Sequence, residues 1–337
     1  MLPTGKLDAR LLQNFLKNYA KPNCRVLLGP GIGEDAAALD MGDKALVVAT
    51  DPITFATQDI GTYSVIVNAN DIATTGARPR WFLAAILLPE QEGNEALAES
   101  IFRQIHRACD QLGIALIGGH SEITYNLDRP LVIGQMMGEV DKKALIRTGG
   151  AKPGDVVLLT KGIPIEGTSI MAREKSDFLL SVGIEEALIE KARGFLFDPG
   201  ISVVEEARLA VRVAEVHAMH DVTEGGLAGG LHEVAEAAGV QIEVDEDRIP
   251  VFEASRRLCQ ALNLDPMGVI ASGALLMTAA PPEADKILNE AARQGESVFQ
   301  IGRILSSGTP NVTLTSSRGR APLPCFERDE IAKVFEA

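Results

Sequence analysis

Four aspartates in this sequence share a recurring context. Asp35, Asp51, Asp71 and Asp221 each stand beside a glycine-bearing turn or at the end of an apolar run. Carboxylates brought into one apolar region repel each other unless a cation or a proton resolves them. Hard oxygen donors with no softer set nearby favour Mg2+, and Mg2+ held by few carboxylates takes phosphate oxygens as well. The chemistry open to these residues is therefore the binding of a magnesium nucleotide. The sequence has no HExxH, no GxxxxGK[ST], no GxSxG and no Ser-x-x-Lys, so the zinc protease, P-loop and serine-nucleophile readings have nothing to rest on.

The elements around the acids are readable. Ala45 to Ala49 is a buried strand that runs into Thr50-Asp51-Pro52, and a carboxylate where a strand leaves the core is well placed for a ligand. A helix opens near Asp59 or Thr62 and is apolar on most of its surface (Val65, Ile66, Val67, Ala69, Ile72, Ala73). Asn68, Asp71 and Thr75 interrupt it at spacings of three and four, which puts them on one face. Gly76 and Pro79 end it. Polar groups on a buried helix must be satisfied. Backbone hydrogen bonds would serve for Asn68 or Thr75, whereas Asp71 beside Asp51 points to a metal–phosphate site. Before this strand, Gly29, Gly31 and Gly33 form a loop whose amides could approach an anion, although a tight connection explains it equally well. Asp35 follows directly, at the head of the small apolar strand Ala36 to Leu39.

Trp81 to Leu88 reads as a buried strand, Glu95 to Leu112 as a helix capped by Gly113, and Leu131 to Val140 as a strand whose glycines imply a bulge or close packing. Ile114 to Ile117 reads as a short strand stopping at Gly118-Gly119-His120-Ser121-Glu122. The turn chemistry of Arg147 to Asp155 marks a domain boundary. Beyond it, Val156 to Thr160 is a strand whose loop feeds a helix from about Ser169 to Arg173. The Gly167-Thr168-Ser169 start would hold an anion on its free amides or simply cap the helix. Val216 to Met219 is a strand leading into His220-Asp221-Val222-Thr223-Glu224-Gly225-Gly226, and a helix follows from Leu231 to Ala238. Further helices and strands alternate to Thr315. Pro322 to Ala337 is polar and is expected to pack loosely.

The length of 337 residues suits two domains, and the Ala, Leu, Val, Ile and Gly content is that of a globular α/β protein. A net charge of −14 argues against nucleic acid or an anionic membrane as the main partner, but not against a nucleotide carrying a divalent cation. Cys24, Cys109, Cys259 and Cys325 are scattered without a CxxC pair, as in a cytoplasmic protein with reduced thiols. No run is long enough to span a bilayer.

GIGEDAAAL, VVATDPIT, DIGTYSVIVNANDIATTGARP, GGH and MHDVTEGGLAGGLHEVAEAAG occur in that order. This set resembles the PurM-type ATP-binding superfamily, which includes aminoimidazole ribonucleotide (AIR) synthetase, formylglycinamidine ribonucleotide synthetase, thiamine-monophosphate kinase, selenophosphate synthetase and HypE. The segments DIGTYSVIVNANDIATTGARP, LTKGIPIEGTSIMAREKSD and HDVTEGGLAGGLHEVAEAAG are most similar to HypE and its AIR synthase-related relatives. The resemblance implies an α/β (α+β) two-domain fold. Residues 1–146 would form an N-terminal domain contributing to a dimeric β-barrel, residues 154–316 a C-terminal domain, and residues 317–337 a tail. It implies a homodimer that binds ATP and Mg2+ and activates an acceptor oxygen, carboxamide or phosphate with release of ADP and phosphate. Asp35, Asp51, Asp71 and Asp221 would hold metal and phosphates, with Asn68, Gly31, Gly33 and Gly119 at the nucleotide. Asp71 and Asp221 would be catalytic.

Two departures follow. HypE proteins end in Pro-Arg-Ile-Cys, whereas this sequence closes Val334-Phe335-Glu336-Ala337. Cys325 lies in Pro322-Leu323-Pro324-Cys325 and reads as a buried or incidental thiol. Where relatives carry Asp, Glu or Asn after Gly-Gly, this chain has His120. Glu122 would then supply the missing metal oxygen, or His120 would donate to a phosphate or act as acid and base; a structural histidine is the other reading. His220 reads as structural. The acceptor is not readable. Alternatives to the HypE-like enzyme are a small-molecule kinase and an ATP-binding partner of another maturation protein.

Overall fold

The computed structural model describes residue 7, residues 9–54 and residues 58–335. It divides into two compact units. The smaller contains Asn23–Gly29 and Asp35–Leu145, and the larger contains Met1–Pro22, Pro30–Glu34 and Ile146–Ala337. Helix α1 (Ala9–Tyr19) opens the chain and belongs to the larger unit.

The smaller unit is one sheet with two helices. Its strands are β1 (Val26–Leu28), β2 (Ala37–Asp40), β3 (Lys44–Ile53), β4 (Arg78–Pro89), β5 (Ala115–Thr124) and β6 (Leu131–Asp141), in the order β1-β2-β3-β6-β4-β5. Its helices are α2 (Ile60–Thr74) and α3 (Glu95–Leu112). β4 and β5 are parallel, so the chain must cross over between them, and α3 is that crossover. The other neighbours are antiparallel.

All residues of α2 are buried, which is why it is apolar nearly all round and has no solvent face. It packs on β3, β4, β6 and α3. Two glycines of β6 make this seat possible. A Cβ on Gly134 would lie 2.3 Å from Asn68 Nδ2, and one on Gly138 would lie 2.4 Å from Ile72 Cγ2. Close packing is thus the reason for the glycines in that strand.

Two strands run further than their apolar pattern. β3 continues through Thr50-Asp51-Pro52, so Asp51 sits inside the strand, opposite Gly134. β5 does not stop at Ile117 but continues to Thr124, pairing Gly119 with Ala84 and Glu122 with Leu87. The polar residues expected in a loop are therefore strand residues. They are tolerated because β5 is an edge strand, exposed along almost its whole length. Gly118 and Gly119 both have φ of +149°, and a Cβ on Gly119 would fall 2.0 Å from the Ala84 carbonyl oxygen.

The larger unit has a seven-stranded sheet. In chain order its strands are β7 (Val156–Thr160), β8 (Ala218–Asp221), β9 (Val240–Asp245), β10 (Leu275–Ala279), β11 (Val298–Ser307), β12 (Asn311–Ser316) and β13 (Gly319–Pro322). Their spatial order is β13-β12-β9-β11-β7-β10-β8. β7 and β10 are buried at every residue and read as continuous apolar runs. The helices are α4 (Glu166–Glu174), α5 (Ser176–Ser181), α6 (Glu186–Arg193), α7 (Val204–Val213), α8 (Gly226–Ala238), α9 (Glu253–Leu262), α10 (Pro281–Gln294) and α11 (Ala332–Phe335). The core gathers Leu159, Ile163, Leu227, Leu231, Ile242 and Ile301.

The expectation of a loosely packed tail is corrected. Leu323, Asp329, Glu330, Ile331 and Val334 are buried, because this short polar segment sets three apolar side chains and two carboxylates into the larger unit. Cys325 is exposed. Among the described residues no helix is long and apolar enough to cross a membrane.

Candidate functional site

In the smaller unit the site begins at one asparagine. Asn68 is fully buried on α2. Its Oδ1 accepts the Asp51 amide at 2.9 Å, and its Nδ2 donates to the Asp51 carbonyl at 3.3 Å and to the Ser64 carbonyl at 2.9 Å. The side chain thus pairs with the β3 backbone as a neighbouring strand would, and fixes the helix to the strand at Asp51. Cross-strand partners share a face of a sheet. The Cβ direction of Gly134 points at Asn68, so the side chain of its partner Asp51 lies on the α2 face as well.

Asp71 follows Asn68 by three residues, on the same side of the helix, and is 3% exposed. The next polar residues are satisfied locally: Thr74 and Thr75 donate their hydroxyls to the Asp71 and Ile72 carbonyls, both at 2.7 Å. The polar stripe therefore splits. The Asn and Thr groups bond to backbone, and Asp51 and Asp71 stand on elements that Asn68 ties together. Asp35 lies two residues before β2, whose Ala37 is opposite Val48.

His120 and Glu122 are elsewhere on the sheet. Asp51, Gly134, Ala84 and Gly119 form one line across β3, β6, β4 and β5, three strand spacings or about 14 Å along the sheet. His120 and Glu122 are one and three residues past that line and point to the opposite face. His120 Nε2 lies 3.1 Å from Glu122 Oε2, and the Thr124 hydroxyl donates to Glu122 Oε1 at 2.7 Å. The Thr124 hydroxyl and then the His120 ring hold the Glu122 carboxyl below its usual range. The side chains are 69% and 47% exposed, so this is an open surface pair. The chain does not bring Glu122 to the ion that Asp51 would share.

In the larger unit, Gly31 and Gly33 lie in the short stretch Pro30–Glu34. Gly33 has φ of +72°, and a Cβ there would meet the Glu233 carbonyl oxygen of α8 at 3.1 Å, so packing accounts for this glycine. Asp221 closes β8, fully buried and opposite Leu275. His220 beside it is buried, with Nε2 2.8 Å from Glu233 Oε2, as a structural histidine would be. The anion reading of Gly167-Thr168-Ser169 is corrected. α4 starts at Glu166, the Gly167 amide already donates to the Ile270 carbonyl at 2.9 Å, and the Ser169 amide donates to Ile165 at 3.2 Å.

Sequence reasoning passed over Glu166 and Asp329. Both are buried acids, and a lone Glu at a helix start reads as an ordinary first-turn residue. Among the described residues no three His, Cys, Asp or Glu side chains form a set able to hold a metal.

The N-terminal domain model of AIR synthase related proteins matches residues 33–140, and the C-terminal domain model matches residues 152–315. A hydrogenase expression/formation protein of Methanocaldococcus jannaschii is 28% identical over 290 residues, covering 83% of this chain and 82% of that protein. The carbamoyl dehydratase HypE of Rhodobacter capsulatus is 28% identical over 331 residues, covering 94% and 91%. Among solved structures, HypE in a complex with HypF superposes with a TM-score of 0.76 at 22% identity, covering 95% of this chain and 100% of that one. HypE in complex with ATP gives 0.70 at 22% identity, covering 98% and 97%. Thiamine monophosphate kinase from Aquifex aeolicus gives 0.67 at 19% identity, covering 93% and 97%. With both domain models matched in order along one polypeptide, the chain belongs to the family of AIR synthase related proteins.

Proposed function

We propose that this chain is a HypE-like, ATP-dependent enzyme. It binds Mg-ATP and activates an acceptor oxygen or carboxamide, with release of ADP and phosphate. The observation that carries the reading is the Asn68 clamp, which fixes Asp51 and Asp71 on one buried junction of strand and helix. Such rigidity is what phosphoryl chemistry asks of a protein, since its catalysis is mostly positioning and electrostatics. The relatives named carbamoyl dehydratase, and the solved HypE with ATP, support the same reading.

Asp35, Asp51 and Asp71 would hold the metal and phosphates. Gly119 would lie along the nucleotide. Mg2+, when bound, would offset the phosphate charge. Asn68 orients Asp51 by holding its backbone on both sides. The buried setting of Asp71 strengthens its interaction with any cation it meets.

His120 and Glu122 do not fit the same ion within one chain. They lie on the exposed edge strand β5 with Leu116, Ile117 and Ile123. An edge of ten residues with exposed apolar side chains is a template for pairing. The reading therefore includes a homodimer formed through β5, which would cover this pair and make His120 a proton-handling group.

The test is ADP release by the intact chain with Mg-ATP and a panel of acceptors. Turnover that needs Mg2+ and an acceptor, and drops roughly 100-fold in Asp71→Asn, is the expected result. A phosphorylated small acceptor would favour the kinase reading, in line with the fold shared with thiamine monophosphate kinase. Tight ATP binding without ADP release would favour an assembly partner, as the HypE–HypF complex suggests.

A further inference from the structure

A carboxyl cluster in the larger unit lies outside the nucleotide reading. Glu166, at the start of α4, is 6% exposed, and its Oε2 has no hydrogen-bond partner. Ser272 bonds to the same carboxyl group. The charged groups acting on it are both acidic: Glu224 from the turn after β8, and Asp329 from the C-terminal segment.

Asp329 is held in place by backbone. Its Oδ2 accepts the Gly225 amide at 2.7 Å, and its Oδ1 accepts the Ile270 amide at 3.1 Å and the Ile331 amide at 2.8 Å. Gly225 immediately precedes α8, so this carboxylate caps that helix from the far end of the sequence. The flanking residues follow it in. The Glu330 amide donates to Gly268 at 3.0 Å, Glu330 Oε2 accepts the Asp265 amide at 3.1 Å, and Ile331 is fully buried. The Phe326 ring lies 2.8 Å from where Gly268 would carry a Cβ, so this glycine makes room for it.

Basic groups near α4 are committed elsewhere. Arg173 bonds to Ser169 Oγ and the Arg193 carbonyl, Arg193 pairs with Glu190, and Arg257 of α9 pairs with Glu185. Lys161 pairs with Glu206, and Lys333 with Glu330. Asp177 of α5, Glu186 and Lys191 of α6, and Glu253 and Arg256 of α9 are exposed. Burial, with the two neighbouring carboxylates, pushes the Glu166 carboxyl up to about 8. Burial pushes Asp329 up to about 6 against the pull of its three amides.

We propose that Glu166 is the proton-holding bolt of a latch that closes residues 326–334 over the 223–226 turn and the 264–271 loop, and that loss of its proton frees this segment. With Glu166 neutral, Asp329 keeps its amides and the segment stays docked. With Glu166 ionised, two buried carboxylates, Glu166 and Asp329, repel each other, and half-buried Glu224 adds to the repulsion. Glu166 is fixed in α4 and Glu224 in a turn between β8 and α8. Asp329 sits between β13 and α11 on a segment with no strand or helix of its own, and its departure relieves the repulsion. The inference does not depend on the nucleotide reading.

Hydrogen exchange on the intact chain tests it, read as protection factors from about pH 6.5 to about pH 9.5. Protection of residues 326–334 is expected to fall about tenfold or more above pH 8, while β7 in the same unit keeps its protection. Glu166→Gln keeps the shape without the titrating proton, and its profile is expected to be flat. A flat wild-type profile, or an unchanged fall in Glu166→Gln, overturns the proposal. Should Glu166→Gln not fold, Asp329→Asn removes one charge and is expected to move the fall to higher pH; an unmoved fall overturns the proposal equally.

Discussion

Asn68 does the work of a strand edge with a single side chain, and that makes it the residue whose loss is easiest to read. Asn68→Ala removes three hydrogen bonds and leaves the half-buried Asp51 backbone groups to find other partners. The expected cost is about 2–3 kcal/mol, seen as a lower melting temperature in calorimetry. Glu166 gives the opposite sign. Its folded-state value of about 8 stands above the 4.5 of an ordinary glutamate, so the folded chain keeps a proton that the unfolded chain releases. Stability from this group is complete below about pH 4.5, declines as pH rises towards 8, and is level above that. Glu166→Gln is therefore expected to stabilise the protein by about 1–3 kcal/mol at pH 8 and by little near pH 5. Parallel denaturant titrations at the two pH values check this. At this scale the sequence was only partly legible. Asn68 and Asp71 stood out as polar interruptions of an apolar helix. Glu166 and Asp329 did not, because what makes them unusual is burial supplied by segments more than a hundred residues apart.

Among the elements, α2 and its seat on β6 explain why the smaller unit holds its acids still. Gly134→Ala would drive a Cβ to within 2.3 Å of Asn68 Nδ2. Helix and strand would have to separate, so a loss of about 3 kcal/mol or more is expected, with Asn68→Ala in the same chain restoring part of it. Thermal melts of the single and double variants measure that coupling. The apolar periods located most strands and helices but not their ends. β3 and β5 run on through polar residues because a ladder is held by backbone pairing, which side-chain polarity does not report. α8 starts at Gly226, five residues before the Leu231 start read from the sequence, because glycines at φ of +82° and +61° turn the chain into the helix and Leu227 is already buried.

For the whole molecule, the ordered motifs already implied the two-domain family, and the two domain models agree with it. What the motifs could not tell was the packing of the C-terminal segment, whose polar composition hides Ile331 and Val334, nor the placement of His120 on an open strand edge. The proposed pairing through β5 is testable at this level. Ile117→Lys with Ile123→Lys is expected to turn a dimer into a folded monomer in sedimentation, with the melting temperature of the larger unit kept. A monomeric wild type would remove that part of the proposal.

The central claim is that the junction of α2 and β3 holds a magnesium nucleotide. Calorimetric titration of ATP into the intact chain, with and without Mg2+, for the wild type and Asp71→Asn, addresses it most directly. The account predicts binding that Mg2+ tightens and that Asp71→Asn weakens about tenfold or more, in a variant that melts no lower than the wild type. ATP bound equally well by the variant, or with no dependence on Mg2+, would contradict it.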